Sequence, residues 1–204
     1  MAVTPNYSWP VPVDTDYVKD GAEAIKDLGD AIDATVFGLP APASGLTLIS
    51  ATTIGTAVSS VTVSSAFSAT YDAYKIVVTG GVTAGYSELS LQLGSSTANY
   101  GSNLITCAFG STSVNGASSN NTFTTFRLAG ISDAAVNGGI SFDLILRNPF
   151  LATTTHMNGA INTYNTSGIS SGIHLVQASY TAFTIAATSS TMTGGTIRVY
   201  GYQN

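Results

Sequence analysis

From Leu46 onward the sequence alternates apolar and polar residues in short runs that end at glycine, asparagine or proline. The alternation is clearest in ELSLQLG (88–94) and ISFDLILR (140–147). Successive side chains of a strand point to opposite faces, so this pattern predicts strands with one buried face. Turn signals separate the runs, as at Thr-Gly-Gly 79–81 and 193–195. The pattern therefore predicts a series of strands separated by turns, without helices between them.

Ten strands follow from this pattern, and together they predict an antiparallel β-sandwich of jelly-roll-like type over residues 46–204. The chain is thus expected to be mainly β. The Ser-, Asn- and Gly-rich stretch 110–121 is predicted to be an exposed loop. The predicted strands are 46–54, 58–64, 74–80, 88–94, 122–129, 140–147, 156–164, 172–180, 182–188 and 195–202.

Charge is scarce and unevenly placed. Charged residues make up 8% of the chain, against about 25% in an average domain. From Leu46 to the end, four acidic residues balance four basic ones, so the net charge of −5 belongs to the N-terminal part. A neutral surface rich in Ser, Thr, Asn and Gly gives little protection against association. Without a cluster of Lys and Arg, nucleic acid is not expected as a partner.

Residues 1–13 contain three prolines and the only tryptophan, in the stretch TPNYSWPVPV. Proline restricts itself and its predecessor to extended geometry, which predicts an extended arm. Tyr7 and Trp9 lie two residues apart, so an extended chain points both to one side. A frayed terminus is the alternative, but exposed aromatic residues favour an arm that docks on another protein. The predicted docking residues are Pro5, Tyr7, Trp9, Pro10 and Pro12.

Residues 14–38 predict one amphipathic helix. Asp14, Thr15 and Asp16 offer N-caps, and Gly38 and Pro40 end it before a linker at 39–45. A heptad reading places apolar or small residues on one broad face and every charge on the other. The helix is expected either to lie on its own domain or to self-associate. The predicted oligomerisation residues are Val18, Ile25, Leu28, Ile32 and Val36.

No pattern of catalytic or metal-binding residues emerges, so an enzyme is not expected and no cofactor is predicted. His156 and His174 each fall inside a predicted strand, as surface or core residues. Asp133 and Asp143 are the nearest acidic pair in the sandwich sequence, but nothing marks them as paired carboxylates. The lone Cys107 is expected to behave as a small core residue.

The sequence shows neither the pattern of a signal peptide nor that of a membrane-spanning helix. The N-terminus lacks the basic and apolar regions of a signal peptide. No apolar run reaches the roughly 18 residues that a membrane-spanning helix needs, so a soluble protein without membrane insertion is expected.

Three stretches resemble proteins of tailed bacteriophages. TPNYSWPVPVDTDYVKDGAEAIKDLGDAID (4–33) resembles the N-terminal segment of tail-fibre and minor tail proteins. FSATYDAYKIVVTGG (67–81) and TMTGGTIRVYGYQN (191–204) are similar to pieces of the small β-sandwich domains of the same proteins. The front stretch is the more specific of the three. This chain departs from a long fibre because no shaft or repeat follows Gly38.

The resemblance implies a virion structural protein that assembles in the bacterial cytoplasm, which agrees with the lone thiol and the missing signal. It further implies a homotrimer, with the N-terminal segment joined to other virion proteins and the sandwich projecting toward a bacterial surface glycan or protein. A short tail fibre or host-adhesion protein is the first interpretation, with an unknown receptor site. The alternatives are a capsid decoration protein and, less favoured, a carbohydrate-binding module or depolymerase that uses Tyr86, Tyr100 and Tyr164.

Overall fold

The computed structural model describes residues 2–15, 17–39, 45–131, 139–162 and 166–202. The chain divides into two compact units, Met1–Ala43 and Ser44–Asn204. Each unit is described by itself below.

The N-terminal arm folds back on itself, although the sequence predicted one continuous extended segment. Strand β1 (Ala2–Val3) pairs antiparallel with β2 (Pro10–Val11). The Thr4 carbonyl accepts a hydrogen bond from the Ser8 amide (3.0 Å), and the Thr4 hydroxyl accepts one from the Trp9 amide (3.0 Å). The fixed φ of Pro5, which suggested an extended chain, equally suits the first corner of a turn. The arm is therefore a small hairpin.

The helix begins later than predicted. A short 3-10 helix (Val18–Asp20) leads into helix α1 (Gly21–Gly38). Asp14 and Thr15 lie in a turn instead of capping the helix, and Asp16 lies outside the described residues. The extended backbone of Tyr17 (φ −69°, ψ 137°) separates that turn from the helical segment. The end is as predicted, since Leu39 after Gly38 is extended; Pro40 and most of the linker lie outside the described residues.

The second unit is mainly β, with antiparallel sheets, which confirms the predicted fold class. Its strands are β3 (Leu46–Thr53), β4 (Ser60–Val63), β5 (Ala73–Thr79), β6 (Val82–Thr83), β7 (Ser87–Leu93), β8 (Tyr100–Ala108), β9 (Val114–Phe123), β10 (Phe126–Ile131), β11 (Ser141–Arg147), β12 (Thr155–Asn162), β13 (Thr166–His174), β14 (Phe183–Ala187), β15 (Met192–Thr193) and β16 (Thr196–Tyr202). An eight-stranded sheet has the order β3-β16-β5-β11-β12-β13-β8-β9, and a four-stranded sheet has the order β10-β7-β14-β4. β6 and β15 form a separate two-stranded ribbon.

The core contains the apolar residues that alternate along the strands of both sheets. In β11, for example, the side chains of Phe142, Leu144 and Leu146 are buried, while the residues between them face outward. Two serine hydroxyls help to hold β10 against the larger sheet. Ser170 Oγ donates to the Arg127 carbonyl (2.8 Å), and Ser102 Oγ accepts from the Arg127 amide (3.3 Å). The fully buried large side chains are Tyr74, Tyr100, Phe126, Phe183, Ile76, Leu89, Leu91, Leu93, Leu128, Ile140, Leu144 and Leu146.

The stretch predicted to be a loop at 110–121 is largely strand β9, which pairs with β8. Its hydrogen bonds come from the backbone, and it is an edge strand of the larger sheet, so it needs no alternating apolar side chains.

Strand β8 was also missed by the pattern. Cys107 lies on β8 and is only half-buried, so the prediction of a core thiol was wrong. Conversely, residues 175–180 of the predicted strand 172–180 are irregular.

Two Gly-Gly turns lie back to back at one end of the sandwich. Gly80, Gly81, Gly194 and Gly195 all have positive φ angles, between 71° and 88°. A Cβ atom on Gly81 would lie 2.2 Å from the Gly194 carbonyl oxygen, and one on Gly195 would lie 2.4 Å from that of Gly80. The two turns therefore approach so closely that neither inner glycine has room for a side chain.

We expect Gly81→Ala to lower the free energy of unfolding by about 3 kcal/mol or more, because strain of the left-handed backbone adds to a collision with Gly194. Gly110→Ala is the matched control, since Gly110 has the same φ of 80° but nothing within 4 Å of its added Cβ. That variant should lose only about 1–2 kcal/mol. Urea unfolding of both variants measures the difference, and equal losses would contradict the packing argument.

Candidate interaction site on the N-terminal unit

The surface of α1 divides into sectors of different chemistry. At about 100° per residue, six apolar or small residues fall within a sector about 80° wide. They begin at Val18, three residues before the start of α1, and continue along α1 to Val36. We call this sector the apolar stripe. Its members are Val18, Ala22, Ile25, Gly29, Ile32 and Val36, of which only Ile32 is half-buried and the others are exposed.

The hairpin packs on the sector beside the apolar stripe. Trp9 of the hairpin donates from Nε1 to the hydroxyl of Thr35 (2.9 Å), which itself donates to the Ala31 carbonyl (2.8 Å). This sector, which we call the hairpin face, consists of Gly21, Ala24, Leu28, Ala31 and Thr35. All five are buried or half-buried. The hairpin thus covers one side of the helix and leaves the apolar stripe uncovered within this unit.

The residues predicted to dock on another protein divide between two environments. Trp9 and Pro10 are half-buried, whereas Pro5, Tyr7 and Pro12 are exposed. The Tyr7 ring stacks on the Trp9 ring, with centroids 5.0 Å apart and planes at 17°. Tyr7 and Trp9 do share one side, as predicted, but through the hairpin turn and not through an extended chain. Tyr7 remains 60% exposed and is the free aromatic surface of this hairpin.

The residues predicted for oligomerisation also separate. Val18, Ile25 and Val36 are 97%, 66% and 59% exposed, and Ile32 lies between them on the apolar stripe. Leu28 instead lies on the hairpin face. Leu39, just after α1, is exposed as well and was omitted because the heptad count stopped at Gly38.

The third sector of α1 carries its charges. Lys26 and Asp30 form an ion pair one turn apart, and this pairing raises the pKa of Lys26. Phe37 is the one large apolar residue that the helical period places in this sector, and it is 90% exposed. The charged sector includes Lys19, Glu23, Lys26, Asp27, Asp30 and Asp33.

Among the residues considered for catalysis or metal binding, those that the structure describes do not come together. His156 is exposed on β12, and His174 is buried on β13. Asp143 lies on the outer face of β11 and pairs with Lys75 (3.2 Å), while Asp133 lies outside the described residues. Within the described ranges, no three His, Cys, Asp or Glu side chains are placed to hold a metal ion.

His174 is enclosed by aromatic rings. Its ring stacks on that of Tyr100 (centroids 4.0 Å apart), and Nε2 lies 2.8 Å from the Tyr180 hydroxyl. Burial lowers the pKa of His174, and the nearby backbone of Asn99 acts in the opposite direction. Burial also raises the pKa of Tyr100 to about 12. This is a packed, neutral cluster in the core.

The three tyrosines proposed as sugar platforms differ in exposure. Tyr100 is completely buried, so its assignment as a platform was wrong. Tyr86 is 71% exposed. Tyr164 lies outside the described residues.

Comparison with known proteins does not assign this chain to a family. No protein-family model matches this chain, and no curated protein matches it. In the parts of the chain that the structure describes, no helix has the length and apolar character needed to cross a membrane.

The buried His174 predicts a pH-dependent stability. An unfolded histidine takes up a proton near pH 6.5, whereas the folded one does so only at lower pH. Stability should therefore fall as pH decreases below about 6.5, with each kcal/mol lost lowering Tm by about 2–4 °C. His174→Gln keeps a polar partner for Tyr180 but cannot titrate.

Melting curves between pH 7.5 and 5.5 should show a smaller decline for His174→Gln than for the unaltered protein. His156→Gln, at the exposed histidine, should decline as the unaltered protein does. Parallel curves for the unaltered protein and His174→Gln would contradict the assignment.

Proposed function

We propose that this protein is a structural component of a tailed bacteriophage virion, a short tail fibre or host-adhesion protein that assembles as a homotrimer. Its N-terminal unit joins neighbouring virion proteins, and its sandwich faces the host cell. The apolar stripe of α1 is the observation that carries the proposal. The resemblance of residues 4–33 to phage tail proteins supplies the setting.

The apolar stripe supports self-association on physical grounds. A regular row of exposed aliphatic side chains along one helix face is unfavourable in water, and burying apolar area contributes about 25 cal/mol per Å². β-branched residues stand seven apart at Val18, Ile25 and Ile32, as at one position of a heptad seam. Ala22 and Gly29 allow close approach beside them. The charged sector lies away from this seam and stays in water.

The hairpin makes such an assembly more stable than the helix alone would be. Three heptads are marginal for a free coiled coil, and glycines at 21 and 29 weaken α1 further. The hairpin buries Ala24 and Leu28 at least partly and fixes Thr35 through Trp9. Each helix would thus enter the trimer with one side already packed.

The exposed Tyr7 ring supports a separate anchoring contact. Aromatic rings with a polar tip are enriched at protein interfaces, and this one is held rigid by stacking on Trp9. Pro5, in the same turn, and Pro12, at the open end of the hairpin, are both exposed and have little conformational entropy to lose. We assign the contact with a neighbouring virion protein to Tyr7 and these two prolines.

Self-association is tested by placing a charge on the apolar stripe. Ile25→Glu should weaken the trimer about tenfold or more, because the seam would bury an unpaired carboxylate. Phe37→Glu is the matched control, since it places the same charge on an exposed apolar residue of the charged sector. Sedimentation equilibrium of the full chain at micromolar concentration measures both variants.

A monomeric unaltered protein in that experiment would overturn the trimer. Equal weakening by Ile25→Glu and Phe37→Glu would show that the seam lies elsewhere.

Anchoring is tested with a point variant, because removing the whole hairpin would uncover the hairpin face of α1. Tyr7→Ser should reduce incorporation into particles about tenfold, and Tyr86→Ser, at an exposed tyrosine of the sandwich, should not. Quantitative immunoblots of purified particles measure incorporation. Normal incorporation of Tyr7→Ser would contradict the anchor, and immunogold labelling of heads instead of tails would favour the capsid decoration protein.

A further inference from the structure

A polar groove crosses the outer face of the eight-stranded sheet. It has a volume of about 540 Å³ and spans β11, β12, β13, β8 and β9. Small-molecule sites commonly have about 300–1,000 Å³. The groove lies wholly within the sandwich. Its polar lining includes Asn103, Asn121, Arg147, His156, Asn158 and Ser171.

The strand register places these side chains side by side. Arg147 stands opposite His156, and His156 opposite Ile173. In the adjacent row Asn158 stands opposite Ser171, and Ser171 opposite Asn103. The first row thus carries Arg147, His156 and the half-buried Ile173 across β11, β12 and β13, with Ile173 as an apolar platform at its end. The second row carries hydrogen-bonding side chains across β12, β13 and β8.

The far wall of the groove depends on a glycine and a bulge. Gly101 stands opposite Ile173 and has no side chain, which deepens the sheet surface at that point. The register of β9 shifts opposite Gly101, so that β9 has a bulge there. Asn121, in the bulge, has a φ of +44°, and its Oδ1 lies 2.5 Å from where a Gly101 Cβ would be. Bulges often re-aim a side chain beside a binding site.

The groove contains one cation and no compensating acid among its lining residues. Arg147 donates a hydrogen bond to Asn158 Oδ1 and takes part in no ion pair within the described residues. By contrast, Lys75 on the same face is paired with Asp143. A guanidinium fixed by one side-chain partner keeps other donors free to bind a carboxylate or phosphate.

We propose that this groove binds an acidic saccharide, with its acidic group on Arg147 and its hydroxyl groups on the amides of Asn103, Asn121 and Asn158. Amide side chains both donate and accept, as vicinal hydroxyls require. The carbon face of a sugar ring would lie on Ile173. This inference deepens the proposed host-adhesion function by giving it a site and a ligand class.

The test uses the full chain on an array of bacterial surface polysaccharides grouped as carboxylated, phosphorylated or neutral. Binding to the carboxylated or the phosphorylated polysaccharides is expected. Which of these two sets binds shows whether Arg147 recognises a carboxylate or a phosphate. Arg147→Gln should weaken binding about tenfold or more, because it removes a charge-assisted hydrogen bond. Arg198→Gln is the matched control, since Arg198 lies on the same sheet outside the groove and bonds to Thr79.

Gly101→Ser, which should displace Asn121, provides a second disruption that leaves Arg147 in place. Each variant's oligomeric state and melting temperature are measured alongside, so that loss of binding is separated from loss of assembly or folding. No binding to any polysaccharide, equal binding to neutral ones, or an equal loss with Arg198→Gln would overturn the proposal. A bound saccharide with a monomeric protein would instead overturn only the proposed trimer.

Discussion

Burial of one apolar face of each sheet is the constraint on which the sandwich depends. A strand that slipped by one residue would turn its leucines and phenylalanines outward, so the core fixes the register of every strand with a buried face. The same register also fixes which residues of each strand point away from the core. Because Leu144 and Leu146 point inward on β11, Asp143 and Arg147 must point outward. The proposed saccharide site is thus positioned by the packing beneath it.

In the N-terminal unit, the corresponding constraint is the hydrogen bond from Trp9 to Thr35 together with the stacked Tyr7 ring. It sets which side of α1 the hairpin covers. The helix has a broad apolar surface, and the hairpin covers only part of it. The hairpin leaves the apolar stripe uncovered, and three of the stripe's four β-branched residues, Val18, Ile25 and Ile32, are spaced seven positions apart. Our proposal for assembly rests on this stripe.

Much of the sandwich could be predicted from the sequence because its strands bury a single face. β5, β7, β11, β14 and β16 fall close to their predicted ranges for this reason. β9 was missed because an edge strand with exposed side chains obeys no period; its partner supplies hydrogen bonds, not burial. The hairpin was missed because proline suits both an extended chain and a turn.

The candidate sites were predictable to different degrees. The apolar stripe follows from helical spacing, although its separation from Leu28 required the hairpin. In the groove, alternation alone put His156 and Asn158 on one face of β12, and Asp143 and Arg147 on one face of β11. Nothing in the sequence indicated that these strands are neighbours, or that Asn121 bulges over Gly101.

The sequence by itself determined the mainly β fold class, the end of α1 at Gly38 and the confinement of net charge to the N-terminal part. Local periodicity and composition contain that information. Only the tertiary structure decided that the arm doubles back, that two Gly-Gly turns abut, and that polar residues from five strands line one groove. Those features join residues far apart in the chain, and their contacts depend on strand order, which local spacing does not encode.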